Sequence, residues 1–257
     1  MNKVLLILSV VLFWGCSQAN DHADVKEAVK KEAAAEVEAV VEQASEVAEA
    51  VESSVESVVE EVAEAVDFQP GIHYSVINPA WDTKSEDEVL VYEFFSYMCQ
   101  HCASFEPYMK KLEHDMPEHG KVVRIPVVFY PQWKPFAQAY YTFEAMDLVD
   151  QAHAALFAAI HQHRKQLRSI EDIANWVSSS FGVDKDEFLS TANSFMIDGQ
   201  IRKGMQMMQA MGVSSTPTLV THGKYKPNNK VFRTRDEVLD VTLYLVDMEA
   251  ENMGIRK

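Results

Sequence analysis

The chain has 257 residues, of which 39 are acidic and 23 basic, for a net charge of −16. No basic stripe with interleaved aromatics offsets that acidity, which excludes nucleic acid as a partner. Three cysteines are too few for a disulfide-knit scaffold, while 47% hydrophobic residues suffice for a sizeable core.

Residues 1–19 read as an export leader. Lys3 precedes an apolar run from Val4 to Trp14, too short to span a bilayer and suited to a secretory h-region. Phe13-Trp14-Gly15-Cys16 has the form of a bacterial lipobox, with cleavage before Cys16 and lipidation of that cysteine. Trp14 departs from the pattern, and Ser17-Gln18-Ala19 offers a second cleavage point. A lipid on Cys16 would hold the protein at a membrane without spanning it.

Residues 20–67 change composition to Ala, Val, Glu and Ser, with quasi-repeats such as Val47-Ala-Glu-Ala-Val-Glu52 and Val62-Ala-Glu-Ala-Val66. Between Asp21 and Val66, 14 acidic residues face 3 lysines, so most of the net charge lies here. Val51, Val55, Val58, Val62 and Val66 mark one helical stripe, but Val and Ala bury little area and the glutamates repel. The segment reads as an acidic tether, about 70 Å long if fully helical. A coiled-coil or oligomerisation arm is the alternative.

Residues 68–257 read as the folded domain. Val89 to Phe95 predicts a buried strand, Cys99 to His114 a helix, and Lys121 to Phe129 a second strand. From about 135 to 211 the pattern is helical: Phe136 to Leu148, Asp150 to His161, Ser169 to Ser179, Lys185 to Ala192 and Met196 to Met211, with stops at Gly182 and Gly212. Thr218 to Thr221 resumes a strand, Gly223 turns, Lys230 to Arg233 returns, and Arg235 to Glu249 closes with a helix. The order predicts an α/β fold, a small central sheet with an inserted helical domain. His161 and His163, two apart and on different helical faces, read as a solvated turn. The methionines between Met205 and Met211 read as core, or as an adaptable surface for peptide.

Cys99-Gln100-His101-Cys102 carries the chemistry. It lies at a strand end and a helix start, where unpaired backbone N–H groups favour a thiolate. Cys99 is then the nucleophile and Cys102 its resolving partner, and a protonated His101 would add to the effect. Zinc would need two further ligands at matching spacing, and an inert structural disulfide is the third reading.

Glu93-Phe-Phe-Ser-Tyr-Met-Cys99-Gln-His-Cys102, with Gly212-Val-Ser-Ser-Thr-Pro217-Thr-Leu-Val220 and His222-Gly-Lys-Tyr-Lys226, resembles the DsbA family of periplasmic thiol oxidases. The resemblance covers Phe68 to Lys257 and implies a thioredoxin-like fold interrupted by a helical domain. It implies that Pro217 is a cis-proline beside the disulfide, that the Thr216 backbone pairs with substrate, and that Glu93 is a buried acid near Cys102. Arg124 stands where a basic residue near that acid is expected. The substrates implied are reduced exported polypeptides, with reoxidation by a DsbB-like membrane quinone reductase and no organic cofactor. Gln100 departs from the family's Pro-His dipeptide, and Thr216 is a residue also found in disulfide isomerases. An isomerase or reductase on the same fold is therefore one alternative, and an anchored non-catalytic peptide-binding module another.

Overall fold

The computed structural model describes residues 68–256. The leader, Cys16 and the acidic arm lie outside the described residues. Five strands form one sheet: β1 (Tyr74–Val76), β2 (Val89–Phe95), β3 (Gly120–Pro126), β4 (Thr218–Thr221) and β5 (Tyr225–Pro227), in the order β1-β5-β4-β2-β3. β2 runs parallel to β3 and antiparallel to β4.

Seven helices complete the described fold: α1 (Gln100–Asp115), α2 (Lys134–Ala145), α3 (Val149–His161), α4 (Ile170–Phe181), α5 (Lys185–Ala192), α6 (Phe195–Ala210) and α7 (Arg235–Met253). β2 is apolar on both faces because both are covered. Val89 and Val91 meet Phe105, Met109 and Leu112 of α1 and Leu239 and Val246 of α7. Tyr92 and Phe94 meet Met207, Met208 and Met211, so these methionines are core. Gly204 allows that close approach of α6, since a Cβ there would come within 2.9 Å of the Tyr141 hydroxyl.

Helices α2 to α6 occupy the stretch between β3 and β4. Their shared core centres on fully buried Phe143 and Phe188, whose rings lie 5.9 Å apart. Ser169 starts α4 with a reciprocal capping box to Asp172, and Gly182 ends it at φ +71°, satisfying backbone groups that the helix itself leaves open.

Two sequence expectations need correction. The return strand is Tyr225–Pro227, not Lys230 to Arg233, because the His222-Gly223 turn sets Tyr225 directly opposite Thr221. By Asn228 the chain is already turning, with Val231 N–H donating to the Asn228 carbonyl. β3 also ends at Pro126, short of Phe129, although Val127 N–H still reaches the Phe95 carbonyl at 2.8 Å. β1 was not predicted; it is held by its register on β5, from Tyr74 opposite Pro227 to Val76 opposite Tyr225.

Candidate redox site

β2 delivers the chain into the turn Ser96-Tyr97-Met98, whose closure lets Cys99 N–H donate to the Ser96 carbonyl at 3.0 Å. Cys99 then caps α1 in an extended conformation, its carbonyl accepting from Ala103 N–H. Both thiols are free; Cys99 is half-buried and Cys102 is 1% exposed. The Cys102 thiol donates to Cys99 and draws its pKa down to about 5. Burial opposes this, while Thr216 and the backbone N–H groups of Cys102 and His101 reinforce it. The same thiol contact and burial push Cys102 far up. This split makes Cys99 a thiolate at neutral pH and Cys102 a thiol, as an exchange pair requires.

The loop before β4 closes the site. Cys99 Sγ lies 3.5 Å from the Thr216 carbonyl, and the Thr216-Pro217 peptide bond is cis. A groove of about 370 Å³ runs alongside, lined by exposed His101 with Phe105, Ser215, Thr216, Pro217 and Arg235. The structure thus brings Cys99, Cys102, His101, Thr216 and Pro217 to one locality.

Glu93 lies on the face of β2 turned towards α1, in register with Arg124 of β3. Arg124 Nε is 3.1 Å from Glu93 Oε2, but off line, so the guanidinium acts on the carboxyl through its field and not through a directed hydrogen bond. Arg124 is shared: Nη1 lies 2.6 Å from Glu113 Oε1 and Nη2 3.9 Å from Glu106 Oε1. Burial pushes Glu93 up to about 8; Arg124 resists, and the charges of Glu106 and Glu113 add to the rise. An acid poised there can hold or release a proton near neutral pH.

Sequence reasoning missed the layer beneath. Glu106 Oε2 is 3.3 Å from His153 Nε2, and His153 Nδ1 is 2.7 Å from the hydroxyl of fully buried Tyr97. Burial depresses the His153 pKa. Burial also works to raise Glu106, but the hydrogen bond from His153, with the Arg124 charge, outweighs it and holds that carboxyl below its ordinary value. The consistent assignment is a neutral imidazole accepting from Tyr97 at Nδ1 and donating to an ionised Glu106 from Nε2. Glu106 and Glu113, two turns apart on α1, lie on one face; the partner of Glu106 in α3 was not legible. His161 also needs correction. It is half-buried, with Nε2 2.7 Å from the Tyr97 carbonyl and Nδ1 2.9 Å from Gln100 Oε1; His163 is exposed. Among the described residues, no group of His, Cys, Asp and Glu is arranged to hold a metal ion.

The family profile described as Thioredoxin matches residues 83–240. The thiol:disulfide interchange protein DsbA of Pseudomonas aeruginosa is 34% identical over 185 residues, 72% of this chain and 87% of that protein. The chain belongs to the DsbA family. DsbA of Bordetella pertussis is 32% identical over 161 residues, 63% of this chain and 76% of its own length. The crystal structure of Pseudomonas aeruginosa DsbA superposes with a TM-score of 0.69 at 33% identity, covering 74% of this chain and 98% of that one. The DsbA fold thus accounts for the sheet and its helical insertion, and the profile match takes in both Cys99-Cys102 and Thr216-Pro217. A DsbA-family chain with this thiol pair is a thiol:disulfide oxidoreductase.

Proposed function

We propose that this DsbA-family protein is a cell-envelope thiol oxidase that donates its disulfide to newly exported polypeptides. The observation that carries this is the split between the two thiols, Cys99 down at about 5 and Cys102 far above its ordinary value. A stabilised Cys99 thiolate favours the dithiol form, so the disulfide form oxidises others.

A substrate thiolate attacks Cys99 Sγ of the disulfide form. The Cys99-Cys102 bond breaks, a mixed disulfide forms, and Cys102 leaves and takes up a proton. The substrate's second thiolate then attacks its own sulfur in the mixed disulfide and releases Cys99 as thiolate. Two electrons pass from substrate to protein. Glu93 is the group assigned to proton traffic at Cys102, His101 lines the entry, and the Thr216-Pro217 backbone receives the substrate chain. The exchange calls for no organic cofactor. Reoxidation falls to a DsbB-like membrane quinone reductase. Residues 1–19 would direct export to the periplasm, with lipidated Cys16 and the 20–67 tether holding the domain off the membrane.

Equilibrating the full chain in glutathione buffers, with mass-spectrometric readout of the Cys99-Cys102 peptide, tests the direction. A reduction potential well above that of thioredoxin, about −270 mV, is expected. A value near that figure would make the protein a reductase.

A further inference from the structure

Three residues of α3 converge on one residue of the redox turn. His153, Phe157 and His161 follow at four-residue steps and so share a helical face. His153 holds the Tyr97 hydroxyl at 2.7 Å, the Phe157 ring packs on the Tyr97 ring at 4.8 Å, and His161 Nε2 meets the Tyr97 carbonyl at 2.7 Å. The first two contacts are core packing. The third is different, because the same imidazole reaches on to the Gln100 side chain at 2.9 Å. Tyr97 and Gln100 bracket Met98 and Cys99, so one ring grips the turn on both sides of the half-buried Cys99 sulfur.

The grip does not depend on the ring's charge. A neutral imidazole donates from Nε2 to the Tyr97 carbonyl and accepts from the Gln100 amide, whereas a protonated ring donates to the Gln100 oxygen. A glutamine side chain presents either end. Gln100 is otherwise exposed, where an unheld side chain would gain rotamer freedom.

We propose that His161 is a positioning residue for thiol-disulfide exchange, clamping the Cys99 turn to the helical insertion through Gln100 and the Tyr97 carbonyl. The contacts are made with both thiols free; the proposal is that they weaken once Cys99 is drawn into the bond with Cys102, so that the clamp favours the dithiol, and the equilibrium below tests that difference. The inference rests on exchange at Cys99-Cys102, and the experiment separates the two.

The full chain, its His161→Ala, His161→Gln and Gln100→Ala variants and the His161→Ala/Gln100→Ala double variant are equilibrated with glutathione and the Cys99-Cys102 disulfide fraction is measured. Failure of the wild type to exchange would overturn the oxidoreductase reading itself. With exchange in hand, His161→Ala and Gln100→Ala should each shift the equilibrium constant towards the disulfide by about twofold or more, and the double variant should add little, as expected for side chains in one hydrogen-bonded network. His161→Gln, which can still donate to the Tyr97 carbonyl, should fall nearer the wild type. Circular dichroism checks folding; if His161→Ala unfolds, Gln100→Ala and His161→Gln decide. An unchanged constant in Gln100→Ala, a shift towards the dithiol, or single effects that simply multiply in the double variant would each overturn the clamp.

Discussion

Replacing Glu93 by glutamine isolates the buried acid. Its ordinary value is 4.5 and its folded value about 8, so between those pH values the folded protein retains a proton that the unfolded chain has released. For an acid raised on folding, stability is fully present below the ordinary value and is lost as pH rises. Each pH unit in that window costs about 1.4 kcal/mol, so the wild type loses roughly 3 kcal/mol between pH 4.5 and 7. Glutamine has no proton to lose over this range, and Arg124 still has Glu113, which lies 2.6 Å away in the wild type. Urea unfolding of both proteins in the disulfide form, at several pH values from 4.5 to 8, removes the titration of Cys99 from the measurement. His153 and His222 titrate in both proteins and cancel in the difference. Glu93→Gln should gain on the wild type steadily with pH. A difference that stays level would refute the reasoning, because it would mean that Arg124 keeps the carboxylate ionised throughout.

The Cys99 thiolate should titrate near pH 5, followed as the pH dependence of alkylation rate. Cys102→Ala should raise that midpoint most, since the Cys102 thiol is the largest contributor, and Thr216→Val should raise it less; equal midpoints in all three proteins would discount both partners. Phe143→Ala opens a cavity at the centre of the insertion and should cost about 3 to 5 kcal/mol in urea unfolding. Tyr97→Phe leaves His153 Nδ1 buried without its 2.7 Å partner and should cost about 1 to 3 kcal/mol.

What the sequence made legible was local. The buried strand Val89–Phe95, the helix opening at the thiol pair and the long helical block all follow from hydrophobic period, capping and glycine stops. Glu93 was named as a buried acid by the family resemblance, and Arg124 proved to be its neighbour in register. β1 was not legible because three residues, Tyr-Ser-Val, carry no period of their own and pair only once β5 exists. His153 and His161 were missed for a related reason. Their partners, Glu106, Tyr97 and Gln100, lie between 47 and 64 residues away, and only the packing of α3 against α1 and the Tyr97 turn brings them together.

β3 leaves the sheet at Pro126, opposite Phe95, and β4 enters at Thr218, opposite Phe94. Both ends of the helical insertion are therefore strung from the end of β2 that leads to Cys99. A different helical block could be grafted between those two points without rethreading the sheet, keeping the thiol pair and the Thr216-Pro217 loop while remodelling the wall beside them. The insertion can thus be exchanged as one contiguous stretch of chain, provided that the α3 face carrying His153 and His161 is kept, because that face holds the Tyr97 turn.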